Sequence, residues 1–379
     1  MHILYYSWIE NSKVDMIDAL SSLGHHVSLI TAPVDNYLVQ PELENTIFQT
    51  ATDCHCDIIF SFNYFPFLSQ AAERAKVPYV SWIYDCPHWT LFSPTLASPY
   101  NYLFLFDLSM VELAKANGAV HAFHLPLAVN TRRISELLKQ PSNYQDDISF
   151  VGSLYETNTF RRISYLPEHL RGYIDGLLTA QHKIYGQDLL SSLFTPELVH
   201  ELGIYIKTEH NPLCPIPDTH FFLSMLQAEL TSRERIEYLN TFADNHSVSL
   251  YSLSNQDLCP KVAFKGGISY ATEMPFVFAN SKINLNISLR SITSGIPLRA
   301  LDIMGCGGFL LTNYQPELDL YFSNGTDYVY FSDTADLLEK AEYYLSHSKE
   351  REEIASNGLE RVTTDFSYEH QIKQMFSLL

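Results

Sequence analysis

Residues 282–313, KINLNISLRSITSGIPLRALDIMGCGGFLLTN, decide the fold. Ile283–Ile287 and Phe309–Thr312 are continuous apolar runs of strand length, and a helix from Pro297 to Met304 lies between them. An unbroken apolar strand has both faces covered, so strand, helix and strand in succession read as one unit of a parallel sheet. The alternation continues outward. Before it come a strand at Val248–Leu253 and a helix at Glu273–Asn280. After it come a helix at Pro316–Phe322, a strand at Tyr328–Phe331, a helix at Ala335–Ser346, and helical stretches near 349–364 and 367–379. Ile148–Gly152 opens this half as a strand. Residues 156–245 show helical patterns without clear strands, notably Asp218–Ala243, and read as a helical insertion.

The first 130 residues repeat the scheme. Strands are expected at 3–6, Val27–Ile30, Asp57–Phe62, Tyr79–Tyr84, Leu103–Phe106 and Val120–Leu125. Ser12-x-x-Asp15 and Ser109-x-x-Glu112 have capping-box spacing, and Val14, Ile17, Leu20 and Leu23 recur at helical intervals. Pro66 opens a helix through Ala75. The polar stretch 128–146 reads as a connection. The expected fold class is α/β with two Rossmann-like domains. These are residues 1–130, then 145–365 carrying the insertion at about 156–245, with a terminal helix at 366–379 packing back on the first.

The 379 residues are 46% hydrophobic and 18% charged, which excludes a mainly disordered chain. Lys+Arg total 24 against 43 Asp+Glu, a net charge of −19, which disfavours nucleic acid as a partner. There is no run of about 18 apolar residues, hence no expected transmembrane helix. The N-terminal MHILYYSWIENSK lacks a basic leader, and the six cysteines are sparse. A cytoplasmic location with reduced thiols is expected. Cys54-His55-Cys56 has no partner pair at metal-site spacing, so no metal is expected there.

The chemistry concentrates in the loop after Ser288, with Arg290, Ser291, Thr293, Ser294 and Gly295. Pro297 in the first helical turn costs no hydrogen bond, and the amides of Gly295, Ile296 and Leu298 suit a phosphate. Arg299 opposes the helix dipole; either a bound anion resolves this or the side chain lies in solvent. Gly152, with Ser153 after it, ends a strand where backbone can approach a diphosphate. Met1–Tyr6 is followed by no GxGxxG, which disfavours a dinucleotide dehydrogenase.

GIPLRALDIMGCGGFLLTN, FSFNYFPFLSQ…VPYVSWIYDCPHW, FHLPLAVNT at 123–131 and DISFVGSLY at 147–155 together resemble GT-B glycosyltransferases, most closely the CgeB-like (spore maturation protein) family. The resemblance spans nearly the whole chain except 156–245. It implies two domains facing across a cleft, an acceptor-side first domain, and a nucleotide-sugar donor bound by the second, most readily a uridine diphosphate sugar. The acceptor would be a hydroxyl of a protein, polysaccharide or surface glycan. Retaining GT-B enzymes carry a Glu-x7-Glu pair; the matching positions are Ser294 and Asp302. Asp302 can accept from both ribose hydroxyls, its alternative being a solvent-facing helix position, whereas Ser294 supplies no charge. The family places Arg and Lys just after the glycine at 152. Ser153 departs from this, so Arg290 and Arg299 are the first candidates for the diphosphate, then Lys265, Arg161 and Arg162. The loop Lys265–Tyr270, with Gly267, would lie by the base, Tyr270 stacking on it or covering the loop.

Asp85 or His88, in Tyr84-Asp85-Cys86-Pro87-His88-Trp89, is the candidate catalytic base, His88 for its near-neutral titration. The alternative has Asp85 capping the turn while His88 and Trp89 pack. Ser7, Trp8 and Asn11 follow the first strand and are candidates for acceptor contact, Asn11 alternatively a cap. No Asp-x-Asp grips a metal–diphosphate, so metal-independent transfer without a cofactor is expected. A nucleotide-sugar epimerase and a non-catalytic nucleotide-sugar or partner-binding protein are the alternatives.

Overall fold

The computed structural model describes residues 1–379 and divides into two compact units. The first comprises Met1–Val129, Glu209–Ile216 and Asp365–Leu379; the second comprises Asn130–Thr208 and Pro217–Thr364. The first unit holds β1 (His2–Ser7), β2 (His26–Thr31), β3 (Ile58–Phe62), β4 (Tyr79–Ile83), β5 (Asn101–Leu105) and β6 (His121–His124), ordered β2-β1-β3-β4-β5-β6. The second holds β7 (Asp146–Val151), β8 (Val248–Tyr251), β9 (Ala263–Phe264), β10 (Ser281–Asn286), β11 (Leu310–Asn313) and β12 (Val329–Phe331), ordered β12-β11-β10-β7-β8-β9. Every pairing in both sheets is parallel.

The continuous apolar runs account for this. All five residues of β3 and of β4 are buried, as covering on both faces requires. The terminal helix Tyr368–Phe376 belongs to the first unit. It packs against the helix Lys13–Ser22, and Tyr368 meets Trp82 edge-on with centroids 5.9 Å apart. The segment Glu209–Ile216 also belongs there, where the Cys214 thiol donates to the Trp89 carbonyl at 3.1 Å.

Local readings fail where spacing alone carried them. Ser12 precedes the helix Lys13–Ser22, but its side chain makes no capping bond. Val14 is exposed, and the buried face is Asp15, Met16, Ala19 and Leu20. The cap of the helix Leu108–Ala116 is Asp107, which accepts from the Ser109 amide at 2.8 Å. A helix at Pro41–Cys54 was not expected; it buries only Ile47 and Ala51, too few to show a periodic face. The stretch expected as a connection contains the helix Thr131–Leu137.

The insertion has its own core, including Phe160, Leu170, Ile174, Leu202, Phe222, Leu226 and Leu230. The helix Asp218–Ala243 serves two cores: Phe222, Leu226 and Leu230 face the insertion, while Tyr238, Leu239 and Phe242 face the sheet. Between these stretches it carries a buried polar step, Thr231, Ser232, Glu234 and Arg235. No helix is long and apolar enough to cross a membrane.

Candidate functional site

In an open parallel sheet, ligands bind beyond the strand carboxyl ends where the strand order reverses, because the loops there diverge. In the second unit that point lies between β7 and β10. Arg235, from the long helix, occupies it. Its Nη1 donates to the Ser153 carbonyl beyond β7 at 2.6 Å, and Nε and Nη2 donate to the Ile287 carbonyl beyond β10 at 3.1 and 2.5 Å. The Phe150 and Tyr155 rings flank it at 5.2 and 5.1 Å. The residue is 8% exposed, and its hydrogen-bond acceptors are all carbonyls, none a carboxylate. Burial pushes its pKa down to about 10, with nearby Arg299 adding to the effect against Tyr155 and Glu234. A buried cation ordinarily has a counter-charge. Gly152 borders the site: a Cβ there would stand 3.6 Å from Arg235 Nη1, an ordinary contact distance, and its amide donates to the Tyr251 carbonyl at 3.1 Å.

The arginines nominated by sequence are engaged differently. Arg290 Nε donates to both Glu234 oxygens at 3.0 and 2.9 Å, Nη2 also reaches Glu234, and Nη1 donates to the Ile184 carbonyl at 2.9 Å. Burial opposes its charge, but Glu234 overcomes this and holds its pKa above the usual arginine value. Arg290 therefore fails as the expected diphosphate holder, because a fully buried carboxylate already neutralises it. Arg161 likewise pairs with Glu229 at 2.6 Å. Arg299 does not extend freely into solvent: Nη1 lies 3.3 Å from Asp302 Oδ2, its plane lies over Phe278, and it touches the Met274 sulfur. Lys265 and Arg162 are exposed.

Asp302 is buried, not solvent-facing. The Tyr270 hydroxyl donates to its Oδ1 at 2.9 Å, so Tyr270, Arg299 and Asp302 form one cluster. At Gly267 a Cβ would meet the Leu253 side chain at 2.8 Å. Pro297 stands at the N-cap of the helix Leu298–Gly305, outside its first turn, and no side chain caps that helix. Gly295 and Ile296 before it are buried. Ser294, expected to bring no charge, donates its hydroxyl to Glu317 Oε1 at 2.6 Å, and the Glu317 amide returns to the Ser294 carbonyl at 3.0 Å. A buried carboxylate thus stands behind Ser294, brought from the loop after β11. Ser153 is exposed, its hydroxyl accepting from the Tyr155 amide at 3.0 Å.

In the first unit the order reverses between β1 and β3. The Trp8 indole sits there, donating to the Phe62 carbonyl at 3.1 Å and stacking on Tyr84 with centroids 6.3 Å apart. Sequence reasoning missed Glu10. Its buried carboxylate accepts from the Tyr5 hydroxyl, from the Ser7 hydroxyl at 3.1 Å and from the Trp8 amide at 2.9 Å. The Ser7-x-x-Glu10 spacing was its available signal. Ser7 is fully buried and committed to Glu10, which removes it as an acceptor contact; Asn11 is exposed.

Asp85 is exposed, and its Oδ2 accepts from Asn63 Nδ2 at 2.7 Å. Asn63 Oδ1 in turn accepts from the amides of Tyr84 and Asp85 at 3.2 and 3.3 Å, so the carboxylate is braced beside the aromatic platform. Surrounding protein raises its pKa, opposed by the Asn63 bond. His88 is a correction. It is buried, with Nε2 at 3.1 Å from both the amide and the carbonyl of Tyr64 and 2.7 Å from the Thr90 hydroxyl. Burial pushes its pKa down to about 4, opposed by the Tyr64 carbonyl, so it does not titrate near neutrality. The six cysteines are free, and no group of three or more His, Cys, Asp or Glu side chains converges as a metal site.

Residues 233–377 match a family model described as glycosyl transferase-like, a segment that includes Arg235, Tyr270, Ser294, Arg299, Asp302 and Glu317. No curated protein matches the sequence. Among solved structures, the Anabaena protein HepE in complex with UDP-glucose is similar with a TM-score of 0.55 at 15% identity, covering 100% of each chain. Sucrose-phosphate synthase from Thermosynechococcus elongatus gives 0.54 at 12% identity, covering 100% of this chain and 98% of that one. AviGT4, a glycosyltransferase involved in avilamycin A biosynthesis, gives 0.53 at 12% identity over 100% and 96%. At these identities the likeness is one of fold, and the fold is GT-B.

Proposed function

We propose that this chain is a glycosyltransferase moving a sugar from a nucleoside diphosphate sugar to a hydroxyl acceptor. The carrying observation is Arg235, a buried guanidinium at the reversal point of the second sheet whose acceptors there are carbonyls alone. The neighbouring likeness to HepE, solved with UDP-glucose, supports a uridine diphosphate sugar. The four sequence phrases support membership of the CgeB-like family, with a protein, polysaccharide or surface glycan as acceptor.

In the proposed reaction the acceptor oxygen bonds to the anomeric carbon while its bond to the diphosphate oxygen breaks. The nucleoside diphosphate leaves with the electron pair. Arg235 and the amides at the start of the helix Leu298–Gly305 stabilise the growing negative charge in a low-dielectric setting. The Tyr270–Arg299–Asp302 cluster takes the ribose hydroxyls. Glu317 polarises Ser294, which then accepts from a hydroxyl of the transferred sugar. On the first unit, Asp85 takes the acceptor proton, because its raised pKa and its brace suit a base better than His88 does. Transfer independent of a resident metal fits a cation supplied by the protein. A donor-binding protein without turnover is the second reading, favoured by the Tyr270 and Arg299 donors that engage Asp302 within the protein.

Calorimetric titration of a panel of nucleoside diphosphates and their sugars, with Arg235→Met beside the parent, tests the assignment. Saturable binding of one nucleotide family, weakened at least about tenfold by the substitution, is expected. No binding to the folded parent, or equal binding by the variant, overturns it. Turnover assays with and without a chelator then separate transfer from binding alone and test metal independence.

A further inference from the structure

A hollow lies wholly within the second unit, and Arg235 is not among its lining residues. It is lined by the 181–190 segment of the insertion, by Gln227 of the long helix, by Arg290–Thr293 after β10, and by Asn313–Gln315 after β11. Counted out to open solvent its space is about 410 Å3, of which about 30 Å3 is room for the centres of water-sized groups. That room holds polar groups equivalent to about two waters, so the hollow takes the edge of a ring and not a nucleotide.

The lining is built from carboxamides, and their hydrogen bonds divide into two kinds. Gln181 is scaffold: Nε2 donates to the Ile184 and Gln187 carbonyls at 2.9 and 3.0 Å, and Oε1 accepts from the Leu189 and Leu190 amides at 2.6 and 3.0 Å. Asn313 is scaffold too, accepting from the Ser288 amide at 2.7 Å. Gln227 differs. It is 8% exposed, and its side-chain amide makes no hydrogen bond within the protein. Gln315, 4% exposed, donates to the Ile292 carbonyl at 3.3 Å, and its Oε1 has no protein donor. These amide groups line the hollow and are not sealed from its solvent, so they are free to serve a ligand carrying both donors and acceptors.

The hollow carries no uncompensated cation. Glu234 neutralises Arg290, and Asp188 caps the helix Leu189–Leu193 through the Ser191 amide at 3.0 Å. One wall is an aromatic face: a Cβ at Gly186 would stand 2.7 Å from the Tyr314 ring, and φ there is +75°, so glycine lets the backbone close against that ring. Carboxamides with an aromatic wall and no free cation suit a neutral, hydroxyl-rich ring better than an anion.

We propose that this hollow binds the hydroxyl edge of a neutral sugar ring, through Gln227 and Gln315, as a carbohydrate subsite built by the insertion. The donor's transferred sugar and an acceptor glycan present the same chemistry. The test titrates methyl glucoside, methyl galactoside and N-acetylglucosamine into the full chain by NMR, then repeats this with Gln227→Met and Gln315→Met after confirming unchanged melting midpoints. At least one glycoside binds the parent, and each substitution weakens it about tenfold while UDP affinity stays the same. Absence of glycoside binding to the parent overturns the proposal, as does binding that neither folded variant alters. Binding of free glycoside in the presence of saturating UDP-glucose assigns the hollow to an acceptor ring. An affinity gain of UDP-glucose over UDP that Gln227→Met removes assigns it to the donor's ring. The glycoside arm needs no nucleotide, so its failure and that of the Arg235 assignment are read separately.

Discussion

The two sheets reverse strand order at equivalent architectural points and fill them with opposite chemistry. Between β1 and β3 stands Trp8, a neutral indole giving one hydrogen bond to Phe62, with buried Glu10 beneath it and Asp85 beside it. Between β7 and β10 stands Arg235, a full charge held by carbonyls. Parallel topology supplies a crevice in both cases; the side chain reaching into it decides whether the crevice offers a surface for rings and protons or a counter-charge for an anion. The second point also shows why charge alone does not nominate a ligand residue. Arg290 and Arg235 come within the same region, but only Arg290 has a carboxylate.

The largest effect expected from breaking this pattern is at Arg290. Arg290→Ala leaves Glu234 charged and buried, and a loss of about 3–5 kcal/mol in unfolding free energy is expected by denaturant titration. Adding Glu234→Gln to it restores part of the loss.

Acid stability should separate the two units next. The His88 pKa is held down at about 4 from 6.5 by burial. Its contribution is fully present above pH 6.5 and is lost as pH falls towards about 4, because the unfolded chain takes a proton that the fold refuses. The loss approaches ~3 kcal/mol. Denaturation curves between these limits should flatten in His88→Gln, and a parallel slope in both proteins would refute the assignment.

Arg235→Met comes third. The melting midpoint should hold or rise, since replacing a desolvated charge by an apolar chain is often neutral or favourable, while nucleotide affinity falls by roughly 1.4–3 kcal/mol. A fall in stability with unchanged affinity would make Arg235 a structural clasp.

The smallest effect on stability is at Asp85. Its raised pKa means that its stabilising contribution lies at low pH and is lost as pH rises through the folded value. At pH 7, Asp85→Asn should therefore leave the melting midpoint unchanged or slightly raised, within about 0.5 kcal/mol, while turnover falls roughly 10²–10⁴-fold. Retained turnover would remove Asp85 as the base.

The sheet strands were legible because two-sided burial writes itself as unbroken apolar runs. The helix Pro41–Cys54 was not, since two buried positions leave no periodicity. In the site, the loop 288–302 was legible through its local order of glycine, proline and charge. Arg235 was not: in Ser232-Arg233-Glu234-Arg235 it looks like a solvated face, and only packing of the insertion against the sheet unit buries it. Glu317 escaped for the same reason, meeting Ser294 through a tertiary contact 23 residues away. His88 shows the reverse error, a residue type chosen for its solution chemistry that the interior alters.

The long helix that serves two cores makes Arg235 part of a rigid rod of 26 residues, about 39 Å in length. Capture of an anion at Arg235, the eighteenth of those residues, would slow the opening of the whole rod. Backbone amides of residues 222–230, in the insertion core and remote from the carbonyls that hold Arg235, should then exchange with deuterium more slowly when nucleotide is bound.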